Sequence, residues 1–113
     1  MVSCRYHKHY EQVCLVNVKG EILQGYGKQK GSQMRKRSGP AGLAVDKHGN
    51  VLVADQWNNK LLVLDCSLTS AHEMSVSVYG GLKGPFSLWY DKSRSRLYIG
   101  EMDGGRVLSL IHI

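Results

Sequence analysis

Short apolar runs separated by polar, glycine-rich turns recur along this chain of 113 residues. Residues 51–54 and 61–64 are apolar at every position, without the alternation expected of a strand that is exposed on one face. Both are therefore predicted to be strands covered on both faces. No stretch has helical periodicity, and we predict no helix of consequence.

Four strands in series are predicted for the middle of the chain, at residues 43–45, 51–54, 61–64 and 76–79. The first two are joined by a turn that begins at Asp46 and continues through glycine and asparagine, and a polar turn follows Asp55. A loose loop is expected at residues 66–75, before an outer, half-exposed strand that alternates between apolar and polar residues. Together the strands form one small up-and-down antiparallel sheet.

The same pattern is repeated along the chain. Residues 39–47 recur as residues 84–92, and one added residue in the next turn increases the offset from 45 to 46. A period of this length, filled with short strands, is typical of arrays in which each unit packs on the next. We divide the chain into residues 1–38 (the last two strands of a preceding unit and a basic loop), 39–83 (a complete unit) and 84–113 (three strands of the next).

The repeat indicates a β-propeller, an all-β fold of four-stranded antiparallel blades. Propellers close with about 4–8 blades, whereas this chain has room for about two and a half repeats. We expect it to be a piece of a longer protein; the alternative is that other chains complete the ring.

The net charge of +6 is concentrated at one end of the chain. Residues 1–38 carry eight Lys or Arg against Glu11 and Glu21, whereas residues 39–113 carry seven charges of each sign. This local excess favours a surface patch that binds an anionic partner over charge that only keeps the protein soluble. A solvated basic loop is the alternative.

Loops separated by two antiparallel strands lie at the same edge of a sheet. The basic connection at residues 28–38 and the turn after the second strand of the complete unit are related in this way. The predicted binding residues are Lys28, Lys30, Arg35, Lys36, Arg37, Gln56, Trp57, Asn58 and Lys60. Cations, an exposed indole and amides suit single-stranded RNA, and a protein partner could use the same surface. Alternatively, Trp57 packs between units and the cations have no partner.

Three cysteines, Cys4, Cys14 and Cys66, form no disulfide framework, which favours a reducing compartment and a cytoplasmic location. Residues 1–20 have no apolar stretch long enough for a signal peptide, and no segment approaches membrane-spanning length, so we expect neither. Cys4, Cys14 and the nearby His7 and His9 invite a zinc interpretation, but their spacing matches no tetrahedral pattern and we favour the end of a strand.

Carboxylates recur after the first and second strands of each unit, at Asp46, Asp91, Asp55 and Glu101. We expect them to cap turns; metal binding or catalysis is the alternative. The sequence offers no candidate catalytic residue, and we predict neither a metal nor a cofactor.

Residues 40–46, 49–55 and 58–61 resemble the consensus of the NHL repeat, a family of six-bladed propellers. The last copy departs from it at Ser87, residues 93–96 and residues 104–105. The chain is similar to the NHL domains of tripartite-motif proteins, in which several such propellers bind RNA on a positively charged face. The resemblance implies a protein-interaction module that selects substrates for an E3 ubiquitin ligase-like protein. It also admits an RNA-binding post-transcriptional regulator, or a hydrolase or lyase like the related six-bladed enzymes.

Overall fold

The structure is a computed structural model that describes residues 2–6, 11–16, 19, 21–26, 40–76, 80–103 and 105–111. The strands in these ranges are β1 (Val2–Tyr6), β2 (Glu11–Val16), β3 (Ile22–Tyr26), β4 (Pro40–Val45), β5 (Val51–Asp55), β6 (Lys60–Leu64), β7 (Ala71–Glu73), β8 (Pro85–Asp91), β9 (Arg96–Glu101) and β10 (Val107–Ile111). One turn of 3-10 helix, Gln56–Asn58, lies at the predicted polar turn. The predicted all-β fold class is confirmed.

The strands form three antiparallel sheets, and strands that are consecutive in the chain are neighbours in each sheet. The first sheet has the order β1-β2-β3, the central sheet β4-β5-β6-β7 and the last sheet β8-β9-β10. Small up-and-down sheets in series agree with a fragment of a β-propeller.

The first sheet has one strand more than the two predicted for the preceding unit. Strand β1 pairs with β2, from Val2 opposite Leu15 to Tyr6 opposite Glu11. The prediction of two strands is wrong because it ignored a short alternation, in which the apolar residues at positions 2, 4 and 6 are separated by polar ones.

The fourth strand of the central sheet begins earlier than predicted. Strand β7 pairs with β6, with Leu64 opposite Ala71 and Leu62 opposite Glu73. The predicted outer strand at residues 76–79 is wrong at Val76, which lies outside any strand, and residues 77–79 are outside the described part of the chain. The expected loose loop at residues 66–75 is instead a tight turn followed by β7.

Hydrogen bonds to the Asp65 side chain explain why the chain turns back early to form β7. Its carboxylate accepts hydrogen bonds from the Ser67 hydroxyl at 2.8 Å and from the backbone amides of Thr69 and Ser70 at 2.8 and 3.1 Å. These bonds, the Ser67 bond foremost, lower the pKa of Asp65. Leu68 takes a left-handed backbone conformation and buries its side chain in the core. The chain therefore reverses within about five residues, as side-chain-capped turns do.

Two clusters of buried side chains cover the two faces of the central sheet. The cluster shared with the first sheet consists of Val13, Tyr26, Val51, Val53, Leu62, Leu64 and Leu68. The cluster shared with the last sheet consists of Leu52, Ala54, Leu61, Val63, Leu97 and Ile99. Since β5 and β6 send alternate residues to the two clusters, the predicted burial of both their faces is confirmed. Each buried aliphatic side chain contributes about 1.5–3 kcal/mol to folding.

The first strands of neighbouring sheets, β4 and β8, approach each other at Gly42. An ideal Cβ at this position would lie 2.7 Å from the carbonyl oxygen of Phe86. A side chain here would require the backbone to move, so glycine allows the close contact. The two sheets therefore meet along their first strands. Hydrogen bonds join their equivalent turns at both edges, where Lys47 donates to Ser95 and Gln56 donates to Met102.

Candidate recognition surface

One edge of the central and last sheets carries two equivalent turns. The β5–β6 turn occupies residues 56–59, and the β9–β10 turn occupies residues 102–105, of which residue 104 is not described. The connection at residues 80–84 reaches the same edge, because Pro85 at the start of β8 lies opposite Glu101 at the end of β9. We call this surface the Trp57 edge.

A buried side chain at the end of β5 orders the β5–β6 turn. The buried Asp55 carboxylate accepts a hydrogen bond from Asn58 Nδ2 at 3.0 Å. Asn59 adopts the left-handed conformation that asparagine tolerates, with φ of 51°. Between them Trp57 exposes 63% of its surface. The indole is thus presented on an ordered turn.

Two hydrogen bonds join this turn to the next unit. Asn59 Oδ1 accepts the backbone N–H of Gly84 at 2.7 Å, and Gln56 Nε2 donates to the sulfur of Met102 at 3.1 Å. The first bond fixes the entry to β8. These amides therefore hold neighbouring units together, a role that sequence reasoning did not assign to them.

The structure places four of the predicted binding residues at the Trp57 edge. Trp57 and Asn58 are exposed, whereas Gln56 and Lys60 are half-buried. The other five predicted residues, Lys28, Lys30, Arg35, Lys36 and Arg37, lie outside the described residues. Their position at the same edge stays a prediction.

Sequence reasoning missed an ion pair at this edge. Glu101 is buried and accepts hydrogen bonds from the Lys83 backbone N–H at 2.6 Å and from the Arg106 guanidinium, whose Nη2 also donates to the carbonyl oxygen of Gly81 at 3.0 Å. The pair, with the Arg106 hydrogen bonds as the largest cause, lowers the pKa of Glu101. The spacing in the sequence could have indicated this pair. In both units a cation follows the acid by five residues, Arg106 after Glu101 and Lys60 after Asp55.

Two carboxylates at the opposite edge cap turns, the role favoured from the sequence. Asp46 accepts the backbone N–H groups of His48 and Asn50, each at 2.9 Å. Asp91 accepts the N–H of Ser93 at 3.1 Å and the Ser93 hydroxyl at 2.8 Å. Within the described ranges, no group of three or more His, Cys, Asp or Glu residues is arranged to hold a metal ion.

The cysteines of the zinc interpretation lie on paired strands. Cys4 is on β1 and Cys14 on β2, while His7 and His9 are outside the described residues. Cys66 is a free, exposed thiol. No helix in the described part of the chain has the length and apolar character to cross a bilayer.

Residues 38–67 match the family model of the NHL repeat, whereas no curated protein matches the chain. The matched segment contains β4, β5, β6 and the β5–β6 turn that carries Trp57. The match supports an NHL-repeat domain and agrees with the propeller-like sheets. NHL repeats generally mediate protein–protein interaction, so protein binding is the role that this match indicates.

Proposed function

We propose that the chain is a protein-recognition part of an NHL-repeat propeller and selects substrates for a tripartite-motif ubiquitin ligase-like protein. The exposure of Trp57 on an ordered turn is the observation that supports this proposal. The residue is 63% exposed on a turn that Asp55 orders and that Asn59 joins to the next unit. An exposed tryptophan on a hydrogen-bonded turn is the kind of side chain that anchors protein interfaces.

Met102 adds a second apolar contact at the Trp57 edge. It is exposed and lies within hydrogen-bonding distance of Gln56, the residue before Trp57. Methionine and tryptophan are both enriched in interface cores. A partner segment with an apolar side chain flanked by polar groups would fit this edge.

The test compares proteins captured by the immobilised wild-type chain and by a Trp57→Ala variant, with dissociation constants then measured for each direct partner. For a partner that uses the Trp57 edge, we expect binding to weaken by about 30-fold or more, as for an interface anchor. Leu23→Ala, which replaces an exposed apolar residue on β3 of the first sheet, is the matched control. Partners that bind the wild type and the Trp57 variant equally would refute the proposal.

RNA binding at the same edge is a second candidate function. It is favoured by the exposed Trp57 together with the basic sequence at residues 28–37. Replacing Arg35, Lys36 and Arg37 by alanine is expected to weaken binding of single-stranded RNA. The salt slope of log K should fall by about 0.7 for each lost phosphate contact. Unchanged affinity and slope would remove this candidate.

The third hypothesis, a hydrolase or lyase, gains no supporting observation, since the carboxylates of Asp46 and Asp91 are bonded within their own turns. We also propose a cytoplasmic location. An exposed free thiol at Cys66 suits a reducing compartment.

A further inference from the structure

The turn between β8 and β9 carries two serines whose hydroxyl groups have opposite surroundings. Ser93 Oγ donates to the Asp91 carboxylate at 2.8 Å, and the Ser93 backbone N–H donates to the same carboxylate at 3.1 Å. Ser95 Oγ instead accepts a hydrogen bond from Lys47 Nζ at 2.8 Å. One hydroxyl therefore faces an acid of its own turn, and the other faces a cation of the central unit.

The acid beside Ser93 remains charged near neutral pH. The hydrogen bond from the Ser93 hydroxyl is the main cause that lowers the pKa of Asp91. Arg94 lies 3.6 Å from the other oxygen of Asp91, but it exposes 72% of its side chain and balances the charge only weakly. A second negative group at Ser93 would therefore be repelled.

The surroundings of Ser95 are cationic. Lys92 precedes Ser95 by three residues and Arg94 precedes it by one. Both are exposed, as is Lys47, which reaches Ser95 from the neighbouring turn. A negative group at Ser95 would therefore meet cations from two units.

This turn is expected to be accessible in a closed ring as well. The equivalent turn of the central sheet has the last sheet beside it, yet Lys47 and His48 in that turn are exposed. A further unit beside the last sheet would leave residues 92–95 open in the same way. The contact of Ser95 with Lys47 points towards the central sheet and is independent of such a unit.

We propose that Ser95 is a phosphorylation site and that its phosphate group binds Lys47, which strengthens the contact between the central and last units. A protein kinase transfers the γ-phosphoryl group of ATP to Ser95 Oγ. The Oγ–P bond forms, the bond between the γ-phosphorus and its bridging oxygen breaks, ADP leaves, and the hydroxyl proton passes to the catalytic aspartate of the kinase. Charge patterns around the acceptor select the kinase, and cations before Ser95 suit an enzyme with an acidic substrate groove.

The geometry explains why the product is stabilised. The phosphate oxygens lie two bonds beyond Oγ, within reach of the ammonium group that already contacts Oγ. A phosphoserine carries about −1.5 to −2 charges at pH 7, and its hydrogen bonds to cations are about 2.7–2.9 Å long and stronger than neutral ones. The site lies at the edge opposite Trp57 and does not depend on the function proposed for the Trp57 edge.

The first test compares the 113-residue chain phosphorylated at Ser95 with the chain phosphorylated at Ser93, each phosphoserine being introduced during translation at a reassigned stop codon. Phosphorylation of Ser95 should raise the melting temperature by about 3–6 °C. Phosphorylation of Ser93, the matched control in the same turn, should leave it unchanged or lower it. Lys47→Met keeps the aliphatic stem and should abolish the rise, and high salt should weaken it.

Enzymatic transfer provides a measurement that does not require a cooperative melt. The chain is incubated with ATP and a purified protein kinase that selects a cation three residues before its acceptor, a pattern that Ser95 has and Ser93 lacks. Ser38→Ala is used as background because Ser38 follows Arg35 by the same spacing. Fragment masses should place the phosphate on Ser95, and Ser95→Ala should remove it.

The outcomes decide the proposal. Transfer to Ser95, with a stabilisation that requires Lys47, supports it. Transfer to Ser93 instead of Ser95, or to neither, overturns the modification site. A melting temperature that does not rise on phosphorylation of Ser95, or a rise that persists in Lys47→Met, overturns the contact between units. None of these results bears on protein capture by Trp57.

Discussion

The central and last sheets are two copies of one structural unit, but the side chains on their faces differ. In the central sheet, both faces of β5 and β6 are buried against neighbouring sheets. In the last sheet, one face packs on the central sheet and the other presents Trp89 and Tyr98. The positions that define the fold are the same, whereas some equivalent positions differ in size and polarity, as Leu52 and Tyr98 do.

The differences are confined to positions that do not set the strand order. Both units keep the aspartate-capped first turn, at Asp46 and Asp91, and both keep an acid at the end of the second strand. Among the positions that differ, Leu52 is replaced by Tyr98 between these two acids, and Lys60 by Arg106 after the second acid. A repeated sheet can therefore change its surface side chains without changing its topology.

The largest effect is expected from replacing the buried member of an equivalent pair. Leu52→Ala should reduce the free energy of unfolding by about 2–5 kcal/mol, because it leaves a cavity between two sheets. Tyr98→Ala at the equivalent position should cost about 1 kcal/mol, mainly the loss of the Trp89 contact. Urea denaturation of both variants measures the difference. Equal losses would show that the two faces are packed alike.

The next effect concerns the cation that differs between the units. Arg106→Lys should reduce the free energy of unfolding by about 1.5–3 kcal/mol, since lysine cannot reproduce the guanidinium contacts with Glu101 and the Gly81 carbonyl. Lys60→Arg is the reciprocal control and should change stability by less than about 0.5 kcal/mol. Chemical denaturation again measures both. A neutral Arg106→Lys result would mean that Glu101 is held by the backbone alone.

A smaller effect is expected where the first strands approach each other. Gly42→Ser gives the central sheet the residue of the last sheet, Ser87, but places a Cβ against the Phe86 carbonyl. We expect a loss of about 1–2 kcal/mol from the forced backbone shift. The reverse change, Ser87→Gly, should cost less than about 1 kcal/mol, the penalty of glycine in a strand. Similar thermal midpoints for Gly42→Ser and wild type would contradict this close approach.

The smallest effect depends on pH and tests the turn that has no described counterpart in the last sheet. Hydrogen bonds lower the pKa of Asp65 below its ordinary value of 3.8. The stabilisation they give is therefore present above that value and is lost as the pH falls towards the pKa of the folded state. Asp65→Ala should lower the melting temperature near neutral pH, and the gap to wild type should narrow below about pH 3. A gap that stays constant with pH would assign the effect to something other than the carboxylate.

The sequence predicts much of this fold because buried strands have a recognisable pattern of apolar residues. The uninterrupted apolar residues of β5 and β6 indicate two covered faces, and the structure has them. The position of β7 could not be predicted in the same way. It depends on hydrogen bonds that the Asp65 carboxylate accepts from the backbone of its own turn, whereas the alternation at residues 76–79 resembled a strand.

The candidate site is less predictable because it depends on contacts between units. The exposure of Trp57 follows from its place in a polar turn. The bond that the Gly84 N–H donates to Asn59 and those that Arg106 donates to Glu101 require the relative placement of separate segments, which a local pattern does not contain. The contact between Trp89 and Tyr98 was equally hidden, since it depends on the register in which β8 pairs with β9.

The two-sided burial of β5 and β6 has a consequence for their alignment. When one face of a strand is polar, a slip by one residue exposes apolar side chains and is penalised. In β5 such a slip would only exchange the valines at 51 and 53 with Leu52 and Ala54, and all four positions are buried. Hydropathy alone therefore cannot hold β5 in place. The hydrogen-bonded turns at Asp46 and Asp55, which lie at the two ends of β5, therefore fix its register.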